Sequence, residues 1–104
     1  MPDTHRIILT ARALSELERT AAYIRRRSPQ NAARVATVIL DAIDSLGTMP
    51  ARFKVAGKSR KRGSPVHAMT VRPFIVYYRV DEQPPAVFIL RVVHGARRQP
   101  RRFD

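Results

Sequence analysis

The stretch FIVYYRVDEQPPAVFILRVV, residues Phe74 to Val93, decides the fold. It contains two almost wholly apolar runs, Phe74–Val80 and Ala86–Val93, with the turn Asp81–Pro85 between them. Runs of this length that are rich in β-branched and aromatic residues predict central strands covered on at least one face. Because the link between them is short, the two strands must run antiparallel. This hairpin is the predicted centre of a β-sheet.

Further strands are predicted earlier in the chain. Val66–Val71 carries strand signals and leads through a short turn into the hairpin, so it adds a third antiparallel strand. His5–Leu9 is short, apolar and β-branched, which is typical of a first strand. The segment Thr48–Pro65 has no helix or strand period and predicts a loop, with room for a short strand at Phe53–Val55.

The segment ARALSELERTAAYIRRR after Thr10 predicts a helix that Thr10 caps. Glu16 and Glu18 lie in its first half and Arg25–Arg27 close it, an order that suits the helix dipole. Its apolar residues recur at helical spacing and form one stripe, which consists of Leu14, Leu17, Ala21 and Ile24.

A second helix is predicted to begin at Ser28-Pro29. Proline disfavours helix at the residue before it, so the first helix ends there, with Ser28 as the next N-cap. Gly47 stands where a C-cap glycine belongs. The helix has core spacing at Ala32, Val35, Ala36, Ile39, Ala42, Ile43 and Leu46. Two striped helices joined by almost no loop must fold back as an antiparallel hairpin.

We therefore expect an α+β fold of order β-α-α-β-β-β, with the helical hairpin packed on one face of a small antiparallel sheet. Residues 1–104 fit a single domain. The chain has no cysteine and no apolar run long enough for a signal peptide or a membrane span. We expect a soluble cytoplasmic protein that has no membrane partner.

The charge is strongly asymmetric. The net charge is +12, and residues 51–104 carry thirteen Lys/Arg and three Asp/Glu, a net of +10, against seven and five, a net of +2, for residues 1–50. Such a field attracts polyanions or an acidic protein, although each single cation is more simply explained as solvated. The predicted target- or anion-binding residues are Arg52, Lys54, Lys58, Arg60, Lys61 and Arg62 in the loop, and Arg97, Arg98, Arg101 and Arg102 in the tail.

Several chemistries find no support in the sequence. His5, His67 and His94 lie on separate elements without metal-ligand spacing, so we expect no metal. Gly57-Lys58-Ser59 lacks the earlier glycine of a phosphate-binding loop, and no serine sits in a G-x-S-x-G motif. We expect no cofactor.

Metal-free RNA cleavage needs a base, an acid and cations near the phosphate. The candidate catalytic residues are Lys54, Lys58, His94 and Arg97, with Tyr77 or Tyr78 as further recruits. Neighbouring strand residues face opposite ways, so at most one of the two tyrosines shares a face with such a site. The alternative for His94 is a strand end, where Gly95 supplies a backbone conformation closed to other residues.

The chain resembles the ParE/RelE family of bacterial type II toxin–antitoxin systems over nearly its whole length. The segments that carry the resemblance are AAYI (Ala21–Ile24), SPQNA (Ser28–Ala32), LGTMP (Leu46–Pro50), VYYRV (Val76–Val80) and ILRVVHGAR (Ile89–Arg97). The resemblance implies a small toxin that a cognate antitoxin binds and silences in a hetero-oligomer. We expect the antitoxin on the exposed side of the hairpin and the open edge or face of the sheet.

Within this family, ParE-like members poison DNA gyrase and RelE-like members cleave mRNA on the ribosome. The SP hairpin and the HGAR ending are more similar to the ParE branch. Arg97 falls near the C-terminal arginine of RelE-like members, but Arg98, Gln99 and Pro100 follow where that branch has Tyr or His. The resemblance thus favours a gyrase-directed toxin, with a ribosome-dependent endoribonuclease as the alternative.

Overall fold

The computed structural model describes residues 4–59, 63–101 and 103. The strands and helices, in chain order, are β1 (Arg6–Leu9), α1 (Ala11–Arg27), α2 (Pro29–Asp44), β2 (Val55–Lys58), β3 (Pro65–Val71), β4 (Phe74–Glu82) and β5 (Pro85–His94). Two 3₁₀ turns, Ser45–Gly47 and Pro50–Arg52, connect α2 to β2. The predicted α+β fold is confirmed. The short strand expected in the loop is present, but at Val55–Lys58 instead of Phe53–Val55.

The strands form one sheet in the order β1-β5-β4-β3-β2. Strands β2 to β5 pair antiparallel, as their short links require. Strand β1 pairs parallel to β5, with Ile7 opposite Val87, so the sheet is mixed. Only a short link fixes the direction of a strand from sequence, and β1 is separated from the others by both helices. None of the helices in the described ranges is both long enough and apolar enough to span a membrane.

Thr10 joins α1 to the central strands. Its hydroxyl accepts a hydrogen bond from the backbone N–H of Ala13 at 3.3 Å, which confirms the predicted cap. The same hydroxyl donates to the carbonyl of Ile89 at 2.7 Å. The cap therefore fixes the start of the helix directly above β5.

Both ends of α2 differ in detail from the prediction. Ser28 occupies the N-cap position, but its hydroxyl accepts from the side chain of Asn31 at 3.0 Å and caps no backbone N–H. The helix ends at Asp44, and Gly47 lies in the following 3₁₀ turn. The carbonyl of Gly47 accepts from the His5 N–H at 2.8 Å, and a side chain at residue 47 would lie 3.3 Å from the His5 carbonyl. Gly47 is needed for this close approach and not as a helix C-cap.

The helices cover one face of the sheet, here called the first face. The core on that face contains Ala13, Ile39, Ile43, Leu46, Met69, Val71, Phe74, Val76, Tyr78, Val87, Ile89 and Val92. Leu14, predicted to lie in the core stripe, is 46% exposed, and the fully buried residue is Ala13. The small side chain of Ala13 lets α1 approach β5 closely, which turns Leu14 outward.

The opposite, second face carries a smaller apolar cluster. It contains Val66, Tyr77, Val93 and Phe103, with Ala68, Ile75 and Leu90 packed against it. Tyr77 and Tyr78 therefore face opposite sides of the sheet, as predicted. Phe103 belongs to the tail, so the C-terminal residues fold back over this face.

A buried ion pair ties the hairpin to the sheet at a β-bulge. The register of β4 and β5 shifts between Tyr77, which pairs with Arg91, and Tyr78, which pairs with Ile89. The Glu16 carboxylate accepts from Nε and Nη2 of Arg91 at 2.9 and 2.8 Å, and from the N–H of Val92 at 2.8 Å. Both charged side chains are largely buried, 12% exposed for Glu16 and 16% for Arg91. The pair thus satisfies a backbone donor next to the bulge as well as the arginine.

We predict that Glu16→Ala lowers the free energy of unfolding by about 3 kcal/mol, because it leaves a largely buried guanidinium unpaired. Glu18→Ala removes the same charge from an exposed position two residues away and should change stability by less than about 0.5 kcal/mol. Urea denaturation followed by circular dichroism measures both. Equal stability of the two variants would show that the pair does not hold the hairpin to the sheet.

Candidate functional site

Residues 95–101 and Phe103 form a C-terminal strap that lies over the second face. Gln99 anchors its middle: the Tyr77 hydroxyl donates to Oε1 of Gln99 at 2.8 Å. Nε2 of Gln99 donates back to the carbonyls of His94 at 3.1 Å and Arg97 at 2.6 Å. One amide side chain thus ties the strap both to the sheet and to itself.

Phe103 anchors the far end of the strap. Its side chain is only 5% exposed, and its ring centre lies 4.9 Å from that of Tyr77. Gly57 in β2 provides the space for it, since a Cβ at residue 57 would lie 3.0 Å from the phenylalanine ring. The strap therefore runs from the end of β5 across the face to β2.

The strap carries three of the predicted anion-binding residues. Arg97, Arg98 and Arg101 are all exposed. Within the described part of the chain none of the three forms an ion pair. The carboxylate of Asp81, on β4, is paired with Arg79 at 2.7 Å. The three guanidinium groups are therefore available to an external anion.

The basic loop residues have different surroundings. Arg52 donates from Nη1 to the carbonyl of Thr48 at 3.1 Å and from Nη2 to the hydroxyl of Ser45 at 2.8 Å, so it binds the end of α2. Lys54 and Lys58 are exposed. Arg60, Lys61, Arg62 and Arg102, also predicted to bind anions, lie outside the described residues. The contact of Phe103 with Gly57 brings the tail beside the loop strand.

The surroundings of His94 are local. Its Nδ1 accepts from the N–H of Ala96 at 3.0 Å, and its ring meets Phe74 edge-on at 5.4 Å. The expected backbone role of Gly95 is wrong, because its φ is not in the left-handed region. Instead, Gly95 donates to the carbonyl of Pro73 at 2.7 Å, and a Cβ there would lie 3.1 Å from that oxygen.

Two of the candidate catalytic residues, Lys58 and His94, lie far apart along the sheet. Lys58 pairs with Pro65, at the start of β3. His94 pairs with Phe74 on β4, and Phe74 pairs with Val71, at the other end of β3. The two ends of β3 are six residue steps apart, a distance of about 20 Å along the strand. Arg97 lies with His94, since its N–H donates to the histidine carbonyl at 3.0 Å. No single reacting phosphate can reach both ends.

The first face contains a contact between a tyrosine and a histidine that the sequence did not predict. The rings of His67 and Tyr78 stack with centres 5.2 Å apart. Nδ1 of His67 lies 2.8 Å from the carbonyl of Phe53, and the Tyr78 hydroxyl donates to the carbonyl of Pro50 at 2.5 Å. Burial raises the pKa of Tyr78, against smaller opposing effects of the Phe53 backbone and Arg52. The pair anchors the connection after α2.

A separate apolar groove lies between β1 and α2. It has a volume of about 350 Å³ and is lined by Ile7, Leu9, Leu40, Asp41, Ile43 and Asp44. Strand β1 is the outer strand there, so among the described residues the backbone on its far side has no strand partner. The most exposed large hydrophobic residues are Leu14, Tyr23, Val38, Leu40, Met49 and Val55. Four of the six lie on the helices.

Comparison with known proteins gives a consistent family. A family model described as ParE toxin of type II toxin–antitoxin system, parDE, matches residues 7–99. The candidate toxin Y4kP of Sinorhizobium fredii (strain NBRC 101917 / NGR234) is 34% identical over 95 residues, which span 91% of this chain and 93% of that protein.

Solved structures share the fold. A chain from the chromosomal ParDE system of P. aeruginosa superposes with a TM-score of 0.68 at 20% identity, over 88% of this chain and 97% of that one. A chain from the crystal structure of the RelBE2 toxin–antitoxin complex of Mycobacterium tuberculosis gives 0.59 at 23% identity, over 90% and 94%. At these identities the likeness concerns the fold.

We predict that the stability of the protein falls as the pH rises above about 10, the ordinary tyrosine pKa. Burial raises the pKa of Tyr77 and of Tyr78 in the folded chain, so the unfolded tyrosines lose their protons first and unfolding is favoured. The double variant Tyr77→Phe/Tyr78→Phe should lose less stability between pH 9 and 11, as measured by urea denaturation. Tyr23→Phe, at an exposed site, is the control. A double variant with the wild-type pH dependence would contradict this assignment.

Proposed function

The chain belongs to the family of ParE toxins of type II toxin–antitoxin systems, and from that premise we propose that it inhibits DNA gyrase by binding. The family model covers residues 7–99, which include both helices and all of the sheet except Arg6. In this proposal the toxin is a protein-binding poison and does not cleave RNA.

The separation of Lys58 from His94 carries this proposal. Cleavage without a metal needs an acid, a base and a cation within reach of one phosphate. Lys58 and His94 pair with opposite ends of β3, and Nδ1 of His94 is already bonded to the Ala96 N–H. Arg97 can neutralise a phosphate but is too strong a base to transfer protons. This arrangement supports binding more than catalysis.

The strap arginines are the proposed contact with the enzyme–DNA complex. Arg97, Arg98 and Arg101 are exposed and, within the described residues, have no acidic partner in the chain. An unpaired guanidinium binds carboxylate or phosphate oxygens through two parallel N–H bonds. In a complex of protein and DNA, the DNA supplies phosphates and the protein supplies carboxylates.

We predict that the purified toxin blocks supercoiling by gyrase and leaves cleaved DNA on the enzyme. Arg97→Ala/Arg98→Ala/Arg101→Ala should require about tenfold more protein for the same inhibition, because it removes three unpaired cations from one surface. Arg12→Ala/Arg19→Ala/Arg34→Ala makes the same charge change on the helices and should inhibit like the wild type. A plasmid supercoiling assay on gels measures all three.

Normal supercoiling at high toxin excess would defeat the proposal. The ribonuclease alternative is tested in parallel by primer extension on translated mRNA. Ribosomal A-site cuts that disappear on changing Arg97, Lys54 or Lys58 would establish that alternative in place of gyrase.

The groove between β1 and α2 is the proposed docking site of the cognate antitoxin. The solved structures that share this fold come from a ParDE system and a RelBE2 toxin–antitoxin complex. In this chain the groove places apolar Ile7, Leu9 and Leu40 beside the unpaired outer edge of β1. An edge of this kind accepts an added strand, whose alternate side chains enter the groove.

We predict that Leu40→Ser weakens antitoxin binding about three- to tenfold, because fully burying a leucine contributes roughly 1.5–3 kcal/mol and Leu40 is 45% exposed before binding. Val55→Ser changes a similarly exposed residue on β2, at the opposite edge of the sheet, and should bind normally. Titration calorimetry measures both, at several salt concentrations. Salt should weaken the electrostatic part and leave the apolar part. Equal loss in the two variants would place the antitoxin elsewhere.

A further inference from the structure

The backbone that carries the strap arginines is held in position by contacts of uncharged side chains. Gln99 lies between Arg98 and Arg101 and is bonded to Tyr77, while Phe103 is buried two residues beyond Arg101. Both anchors fix the backbone without using a guanidinium group. The entropy of ordering the backbone of this segment is therefore already lost before any ligand binds, which favours binding of a large anion, and only the exposed arginine side chains remain to be ordered.

The two sides of the molecule differ in chemistry. All six of the most exposed large hydrophobic residues lie on the helices, on the connection after α2 or on β2, and none lies on the strap or the central strands. Protein interfaces need apolar residues at their centre, whereas nucleic-acid interfaces are polar and strongly positive. Within the described residues, the strap side fits a nucleic acid better than a protein.

The exposure of the aromatic rings indicates whether the strap side suits a single strand or a duplex. Proteins bind single strands by stacking bases on exposed aromatic rings. Tyr77 and Phe103 are each only 5% exposed and pack against one another, and the ring of Phe88 is covered by the Arg79 guanidinium at 4.0 Å. This surface offers charge without a stacking platform, which suits a duplex bound through its phosphates.

We propose that the C-terminal strap binds the phosphate backbone of double-stranded DNA directly, without sequence preference, and that Phe103 is the positioning residue that keeps its arginines on one surface. This extends the proposed function, in which the toxin meets DNA on gyrase, but requires no contact with the enzyme. Three arginines release about three counterions, so the affinity should fall steeply with salt.

The test is fluorescence anisotropy with the full chain and a fluorescein-labelled 20-base-pair DNA duplex, without gyrase, between 50 and 200 mM KCl. The logarithm of the association constant should fall against the logarithm of the salt concentration with a slope of about −3 or steeper. Arg97→Ala/Arg98→Ala/Arg101→Ala should reduce the affinity at least tenfold and make the slope shallower by about 2 to 3. The helix variant Arg12→Ala/Arg19→Ala/Arg34→Ala should change it less than twofold.

Phe103→Ala separates positioning from charge, because it leaves every arginine in place. It should weaken duplex binding several-fold, and Phe103→Leu, which refills the pocket over Gly57, should restore it. Thermal melts monitor folding. Should Phe103→Ala be unfolded, Tyr77→Phe serves instead, since it removes only the hydroxyl that holds Gln99 and should also weaken binding.

If the two triple variants lost the same affinity for the duplex, binding would depend on net charge alone, and the proposal would be overturned. Unchanged binding by Phe103→Ala, or by Tyr77→Phe in its place, would overturn the positioning role. Tighter binding to the single strand or to an RNA duplex of the same sequence would overturn the choice of ligand. If the protein bound the duplex but left supercoiling normal, only the gyrase proposal would be wrong. If it inhibited gyrase but did not bind the duplex, only the proposal of direct DNA binding would be wrong.

Discussion

The ion pair between Glu16 and Arg91 determines how the two layers of the molecule meet. The carboxylate holds the arginine and the N–H of Val92 at the bulge in β5. The bulge reverses the alternation of side chains, so Ile89 and Val92 both enter the first core although three positions separate them. Val93 consequently turns to the second face, where it packs with Phe103. A carboxylate on α1 is thus bonded to β5 beside the bulge after which the side chains of that strand change faces.

The sequence predicted the parts of the fold that depend on local pattern. The β4–β5 hairpin, both helices and the Thr10 cap follow from periodicity, short links and capping chemistry, and all are present. The errors concern contacts between distant residues. The parallel direction of β1, the outward turn of Leu14 and the close approach at Gly95 depend on which residues meet in three dimensions. The same holds for Glu16 and Arg91, which are 75 residues apart and each look like a solvated charge.

The sequence predicted the positive charge of the candidate site but not how its residues are arranged in space. The basic second half marked the tail as a binding element, and three of its arginines are exposed on the strap. Nothing in composition distinguished Arg52, which binds carbonyls at the end of α2, from its exposed neighbours. The signal that was missed is Phe103, a single aromatic residue among arginines. An isolated hydrophobic residue in a charged tail is a sign that the tail folds back onto the domain.

The glycine beneath Phe103 has a consequence for how activity can be lost. A methyl group at residue 57 would sit 3.0 Å from the aromatic ring, so the ring of Phe103 would have to shift by a few tenths of an ångström. In the proposed binding mode, an uncharged change in an edge strand would then disturb the anchor of the strap, while leaving the isoelectric point and the main core unchanged. On the proposed role of the strap, a variant could therefore lose binding and still carry every arginine, and inspection of charge alone would not detect the loss.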